Sequence, residues 1–411
     1  MRAGSSGSRG MTRDPKPGGS VLRGCPTIIN AAGPLTRLSG APLAPSVLEA
    51  MAEADCVSVD MFELQAHASR AIARATGAEA GVITTGAAAG LMLATAACLT
   101  RLDVGRMNAL PDIQGPNEII VARGQRNGYD HACRAAGARF VEIGMSEGLA
   151  GAGIRDAEPW EYEAAIGPRT AAILYVESTR SHPPLAEVAA VARANDIPLI
   201  VDAAAELPPA RNLERFVAEG GDLVAYSGGK ALGGPAGTGI LCGRRDLVAS
   251  AALQFLDMDI AWSAWSPPAD FIDKAKLCGL PRHGIARGCK PGKHEVFGLL
   301  AALDRFIAEG DAARHARWLD TCQQVADAVG PSAQVEANIE GAEATEQVPL
   351  LAFRYADVGT AQTLRARLAA GPDPVHTRLD PFRPEVLIVN PICLRPSEIP
   401  RLIAKFARCA G

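Results

Sequence analysis

The sequence predicts an α/β fold. A three-layer α/β/α large domain on a mainly parallel sheet precedes a small α+β C-terminal domain. Three observations predict it. Between residues 60 and 250, short apolar runs alternate with helical stretches. Gly- and Pro-rich turns separate them. The rhythm then changes near 260–295. Strand–helix–strand repetition is the signature of a parallel sheet covered by helices on both faces.

Residues 1–26, MRAGSSGSRGMTRDPKPGGSVLRGCP, hold no apolar stretch of the kind a secretory signal needs. They read as a disordered leader. Residues 27–60 read as an N-terminal segment packing on the small domain. Within it a helix is expected near Pro45-Ser46, with Ser46 as N-cap ahead of Val47, Leu48 and Met51. The large domain is expected over 61–265. Its strand-like runs are 81–85, 118–122, 139–144, 171–177, 198–204, 222–227 and 239–243. Helical period marks 64–75, 128–136 and 184–195 between them. Residues 266–293 read as an irregular connection carrying a basic cluster. The small domain is expected over 294–411. It opens with one long helix over 294–330, and further helices are expected at 360–369 and 396–410.

Composition excludes several functions. The chain has 411 residues with 48% hydrophobic, enough to bury a large core and too apolar for disorder. Its 41 basic and 45 acidic residues give no general attraction to nucleic acid or an anionic membrane. No run approaches the roughly 20 apolar residues a membrane helix requires. The ten cysteines include no C-x-x-C pair, so no metal site or redox dithiol is expected. They read as free thiols of a reducing cytosol, and a cytoplasmic location is expected.

Three motifs carry chemistry together. Thr84-Thr85-Gly86-Ala87-Ala88-Ala89-Gly90 follows a strand and opens a helix, where backbone amides and a hydroxyl can meet a phosphate. Val201-Asp202-Ala203-Ala204 ends an apolar strand, at the edge where ligands of open parallel sheets gather. Tyr226-Ser227-Gly228-Gly229-Lys230 sets a lysine in an apolar, Gly-rich stretch, where desolvation lowers its pKa and frees a nucleophilic amine. Phosphate cup, carboxylate and lysine are the three parts that pyridoxal phosphate chemistry needs. A fourth cluster, Arg287-Gly288-Cys289-Lys290-Pro291-Gly292-Lys293, concentrates cations that can hold a substrate anion. The Cys289 thiol inside it can be acidified by them.

The stretches INAAGPLTRLSG, VDMFELQAHASRAIARATGAEAGVITTGAAAGL, ARGQRNGYDHACRAAGARFVEIG, VDAAAELPP, YSGGKALGGPAGTGILCGRRDLV and KPGKHEVFGLLAALDRF resemble one family. It is the fold-type I pyridoxal phosphate enzymes grouped with L-seryl-tRNA selenium transferase, in the branch of ammonia-lyase-like proteins. The resemblance covers about 28–410. It implies pyridoxal 5'-phosphate as cofactor, Lys230 as its Schiff-base lysine and Asp202 as partner of the ring nitrogen. Thr85, Gly86, Ala87, Gln125 and Ser227 become cofactor contacts. Arg287 and Lys290 become substrate contacts, Lys293 of the same cation cluster joins them, and Arg395 and Arg378 are weaker candidates for the substrate carboxylate. A homo-oligomer of dimers or higher is implied, with a small amino acid as substrate and no nucleic acid or membrane partner. Two positions depart from the family: Gln125 stands where His is frequent, and Ala236 replaces a Gln. In the loop after Val176, Glu177, Arg180 and His182 are further substrate candidates.

The expected reaction is α,β-elimination with deamination of a small polar or anionic amino acid or amino sugar acid. Racemisation or epimerisation, and a selenium transferase-like β-replacement, use the same lysine. A cofactor-binding regulator without turnover is the alternative outside enzymes.

Overall fold

The structure is a computed structural model that describes residues 24–145, 157–329 and 335–410. Residues 1–23 of the expected leader lie outside the described residues. The strands are β1 (Ile29–Asn30), β2 (Ala80–Thr84), β3 (Glu118–Ala122), β4 (Arg139–Ile143), β5 (Thr170–Val176), β6 (Leu199–Asp202), β7 (Leu223–Ser227), β8 (Gly239–Gly243), β9 (Glu336–Glu340), β10 (Leu350–Arg354), β11 (Val375–His376), β12 (Arg378–Leu379) and β13 (Val386–Val389). The helices are α1 (Pro45–Asp55), α2 (Met61–Thr76), α3 (Ala87–Thr100), α4 (Val104–Ala109), α5 (Asp130–Ala135), α6 (Pro159–Ala165), α7 (Leu185–Ala194), α8 (Asn212–Ala218), α9 (Arg245–Phe255), α10 (Lys293–Val329), α11 (Val358–Ala369) and α12 (Ile399–Ala410).

The central sheet has the order β2-β8-β7-β6-β5-β3-β4. β8 is antiparallel to both neighbours, and the other pairs are parallel. The C-terminal ends of β2, β3, β5, β6 and β7 therefore share one edge, which is where the site forms. Along the strands successive residues enter opposite cores. Ile119, Val121, Leu174, Ile200, Ala225 and Leu241 pack with α3 and α9. Ile120, Tyr175, Val201, Val224, Tyr226 and Ile240 pack with residues of α2, α7, α8 and the first half of α10. Both strand faces are covered, so these strands read as unbroken apolar runs.

Local chemistry sets the helix ends. Asp60 caps α2, its Oδ1 accepting from Phe62 N–H at 2.7 Å, and Gly77 ends it with φ 67°. The Ala-rich α3 is buried almost all round. Ser46 is not the cap of α1. Pro45 takes the first helical position and Ala44 precedes it in extended conformation, because proline's missing N–H fits that position.

The long helix expected over 294–330 is broken at Gly310 (φ 69°, ψ 162°). The break is held from outside. Asp311 Oδ2 accepts from Ala210 N–H at 2.8 Å, and Oδ1 accepts from the buried Arg314 at 2.6 Å. The Arg314 guanidinium stacks 3.6 Å from the Phe306 ring centroid. Val296, Leu299, Leu303 and Phe306 before the break join the large-sheet core. Cys322 and Val325 after it join the core of the antiparallel sheet β12-β13-β10-β9. β1 pairs in parallel with β11, so Ile29 and Ala31 enter that second core. Among the described residues, no helix is long and apolar enough to cross a membrane.

Candidate active site

β6 ends at Asp202, which is 7% exposed and pairs in register with Ala225 of β7. Its Oδ1 accepts from Ala204 N–H at 3.1 Å. Burial raises the Asp202 pKa, while that N–H and the Lys230 charge lower it. Lys230 stands three residues beyond β7. Burial lowers its pKa, and the charges of Asp202 and Glu206 oppose the shift. The carboxylate and the amine thus share the sheet's C-terminal edge and feel each other's charge.

Glycines hold the lysine loop against its neighbours. A Cβ on Gly229 would stand 2.5 Å from Ala236 Cα, and one on Gly228 would stand 2.3 Å from Thr238 Oγ1. The Gly229 carbonyl accepts from Ala41 N–H at 3.1 Å. The N-terminal segment therefore reaches the residue next to Lys230. Its start is tied to the small domain, where Asn390 N–H donates to the Ala31 carbonyl at 2.9 Å. The Ala41 contact has no signal in the sequence, because any residue can donate a backbone N–H.

On the same edge, Gly86 precedes α3 with φ 89°, a conformation that favours glycine. Residues 85–88 are half-buried between a buried strand and a buried helix. The first N–H groups of α3 have no partner within the helix and form the positive end of its dipole. Gly239 packs so close that a Cβ there would meet Ala87 N at 2.7 Å. Ser227 pairs with Gly239, which brings it beside this turn. Thr85 Oγ1 donates to the Cys289 carbonyl at 2.8 Å. That bond places the Cys289 backbone against the turn that precedes α3, although 204 residues separate the two.

Gln125 follows β3 and is 8% exposed. Its Oε1 accepts from Val176 N–H at 2.9 Å, and its buried Nε2 has no hydrogen-bond partner. An orphaned donor at a sheet's C-terminal edge calls for a ligand acceptor. Pyridoxal phosphate fits these residues. Its phosphate suits the α3 terminus, its ring nitrogen the Asp202 carboxylate, its aldehyde the Lys230 amine, and an oxygen of the cofactor the Gln125 amide.

The other predicted residues are dispersed. Arg287 pairs with Asp257, and Lys290 is exposed. Lys293 Nζ donates to the Val57 carbonyl at 2.6 Å. Arg395 lies in the small domain, 3.2 Å from Glu398, and Arg378 is exposed on β12. Glu177 pairs with Arg215 of α8 at 3.4 Å. The Arg180 guanidinium stands 3.8 Å from the centroid of Phe382 in the small domain, and His182 is exposed. Cys98, Cys133, Cys242, Cys322 and Cys393 are buried, and burial raises their thiols. Asp257, Asp259 and His283 bring ligand atoms within 4.8 Å of one another on the surface. Asp257 is already engaged by Arg287 there.

Fold and site together define a pyridoxal phosphate-dependent enzyme of fold type I. Residues 45–257 match the L-seryl-tRNA selenium transferase family, and the chain belongs to that family. It is 31% identical over 399 residues to D-glucosaminate-6-phosphate ammonia lyase of Salmonella typhimurium, covering 94% of this chain and 96% of that protein. It is 33% identical over 384 residues to 5'-C-glycyluridine monooxygenase-decarboxylase of a Streptomyces species, covering 90% and 86%. L-seryl-tRNA(Sec) selenium transferase of Nitratidesulfovibrio vulgaris is 28% identical, and the match spans 49% of that protein. The solved structure of D-glucosaminate-6-phosphate ammonia-lyase superposes with a TM-score of 0.77 at 30% identity, covering 97% of this chain and 99% of that one. SPT with pyridoxal phosphate shares the fold, at a TM-score of 0.52 and 11% identity.

Proposed function

We propose that this protein is a pyridoxal phosphate-dependent lyase. Its substrate is a small polar or anionic amino acid or amino sugar acid, which it converts to a 2-oxo acid and ammonia. The observation that carries the proposal is buried Asp202 at the end of β6, paired with Ala225 of the strand that leads into the Lys230 loop, on the edge that also holds the α3 terminus. The full-length likeness to an ammonia lyase supports the reaction class.

Bound there, the cofactor supplies an electron sink for negative charge at the substrate's α-carbon. The chain's own residues do the rest. Asp202 keeps a proton on the ring nitrogen. Thr85, Gly86, Ala87 and Ser227 would contact the phosphate or other parts of the cofactor, Thr85 through its backbone since its hydroxyl donates to Cys289, and the Gln125 amide would orient the ring. Lys230 Nζ, whose pKa burial lowers, would attach the cofactor and take the proton from the α-carbon. Gln125 carries no titratable proton, so acid–base work falls to Lys230 and its acidic neighbours. Lys290, in the segment whose Cys289 carbonyl accepts from Thr85, would meet the substrate's negative end, and Arg287 and Lys293 would join it by leaving Asp257 and the Val57 carbonyl. Arg395 serves the substrate carboxylate from the small domain.

We also propose a cytoplasmic homo-oligomer. The large domain is taken as 61–265, with 27–60 and the connection 266–293 flanking the site and 294–411 as the small domain. Incubation with 2-amino-3-hydroxy acids and their sugar-acid analogues tests the reaction. A 2-oxo acid and ammonia in equal amounts are expected. Deuterium exchange at the α-carbon without either product would establish racemisation instead.

A second reading has its own support, the 33% identity to a monooxygenase-decarboxylase. Product formation that consumes O₂ and releases CO₂ would favour it. Equal yield under nitrogen favours the lyase.

A further inference from the structure

Three consecutive carbonyls fix the backbone at Lys230. The Gly228 carbonyl accepts from Gly234 N–H at 2.9 Å and the Lys230 carbonyl from Gly233 N–H at 3.0 Å, both within the lysine loop. The Gly229 carbonyl between them accepts from outside that loop, from Ala41 N–H at 3.1 Å. Its oxygen belongs to the planar peptide that joins Gly229 to Lys230. Holding the oxygen therefore fixes the plane that contains Lys230 N and Cα, and with it the direction in which the side chain leaves.

The donor is presented by residues 30–41, and one buried side chain shapes that segment. Asn30 is 7% exposed. Its Nδ2 donates to the Gly33 carbonyl at 3.1 Å and to the Leu38 carbonyl at 3.2 Å. Its Oδ1 accepts from Ala32 N–H at 3.1 Å, so both amide hydrogens and the oxygen are used. The bond to Leu38 folds the segment back across eight residues. Gly40 follows with φ 70°, and a Cβ there would stand 2.8 Å from the Gly229 oxygen. The other end rests on the small domain. Asn30 pairs with His376 of β11, and a Cβ on Gly33 would stand 2.9 Å from Asn390 Cγ.

We propose that Asn30 is a positioning residue for Lys230: its amide folds residues 30–40 into the support that holds the Gly229 carbonyl and so aims the lysine. The proposal rests on the assignment of Lys230 as the cofactor lysine. Asn30→Asp puts an oxygen where two buried carbonyls need a donor, so the fold-back is lost. Gly40→Ala presses on the Gly229 oxygen directly and reaches the same carbonyl from the far end of the segment.

The test uses the holoenzyme, with the visible circular dichroism of the lysine-bound cofactor as a readout besides turnover. Both variants should change the dichroism. Both should lower kcat about tenfold or more with a smaller change in KM, as a small displacement of a reacting group does. The double variant should lose no more kcat than the worse single one, because both act through one carbonyl. Gly77→Ala is the control. It strains a φ of 67° with open space around it, at the opposite edge of the sheet, and should lower the urea midpoint with dichroism and kcat unchanged. Asn30→Asp that lowers only the urea midpoint, or losses in kcat that multiply in the double variant, would overturn the positioning role. If Asn30→Asp does not fold, Gly40→Ala carries the test, and unchanged dichroism and kcat there overturn it. Wild-type absorbance surviving in Lys230→Ala would instead overturn the lysine assignment.

Discussion

The side chain of Gln125 is oriented by one backbone group, the Val176 N–H that its Oε1 accepts at 2.9 Å. That bond joins the ends of adjacent strands and leaves Nε2 buried without a partner. Gln125→Glu replaces the donor with an acceptor and brings a charge. Cofactor affinity should fall about tenfold or more, the effect of one unmade buried hydrogen bond. Spectrophotometric titration of the variant with pyridoxal phosphate measures it, and unchanged affinity would mean the amide faces no part of the cofactor.

Lys230→Ala should abolish the visible absorbance of the bound cofactor and lower turnover at least about 100-fold, in the range expected for a lost proton-transfer group. Asp202→Asn should keep the absorbance and lose turnover, because the amide cannot stabilise a charged ring nitrogen. A common loss of cofactor in both variants would show that Asp202 serves binding alone.

Gly229→Ala tests the packing around the lysine. Its Cβ would press on the Ala236 backbone at 2.5 Å, where no side-chain rotation relieves the contact. The expected cost is about 1–3 kcal/mol, visible as a lower urea midpoint. The cofactor absorbance should shift as well, since Gly229 adjoins Lys230. Gly233→Ala is the contrast. Its φ of 71° strains any side chain, but only Arg305 Nη1 comes near, at 3.7 Å.

The cation segment makes a prediction about substrate charge. Lys290→Ala should raise KM for an anionic substrate about tenfold, leaving kcat within a factor of two or so, as one charge-assisted contact does. Added salt should weaken wild-type binding more than that of the variant. Arg287→Ala also breaks the pair with Asp257, so its effect should include a loss of stability. Equal effects on neutral and anionic substrates would remove the segment from the binding site.

The Glu206 carboxyl predicts how the cofactor-free protein responds to pH. Its pKa rises from the ordinary 4.5 to about 7 on folding, so the folded state favours the protonated form. The resulting stability is full below pH 4.5 and is lost as pH rises through 7. Urea midpoints should fall across that window, and Glu206→Gln should flatten the fall. An equally steep profile in the variant would assign the slope to other groups.

Much of the site was legible in the chain itself. The phosphate turn, Asp202 and Lys230 are each readable because a strand end, a small-residue turn and an apolar lysine are written in neighbouring residues. The sequence offers Gln125 as a ring contact but gives no sign that Val176 orients its amide. Glu206 lies in VDAAAELPP, and its raised pKa is not legible there, because the shift comes from burial and from Glu177, Lys230 and Arg215. A glutamate beside prolines looks like a solvated turn until its neighbours are known. Ser46 as a cap and a single helix over 294–330 differ from the structure for local reasons. Proline outranks serine at a helix start, and Gly310 within a helical pattern gives no sign of the Asp311–Ala210 bond that fixes the break.

By itself the sequence determined the α/β class, the order of phosphate turn, carboxylate and lysine, and the family. These follow from hydrophobic periodicity and from chemistry confined to a few consecutive residues. Only the tertiary structure decided that the Cys289 backbone meets Thr85, that Glu177 pairs with Arg215 of α8, and how the N-terminal segment ties Gly229 to the small domain. Those contacts join residues far apart in the chain, as Thr85 and Cys289 do across 204 positions. Packing of helices on both sheet faces brings them together, and no local pattern encodes that meeting.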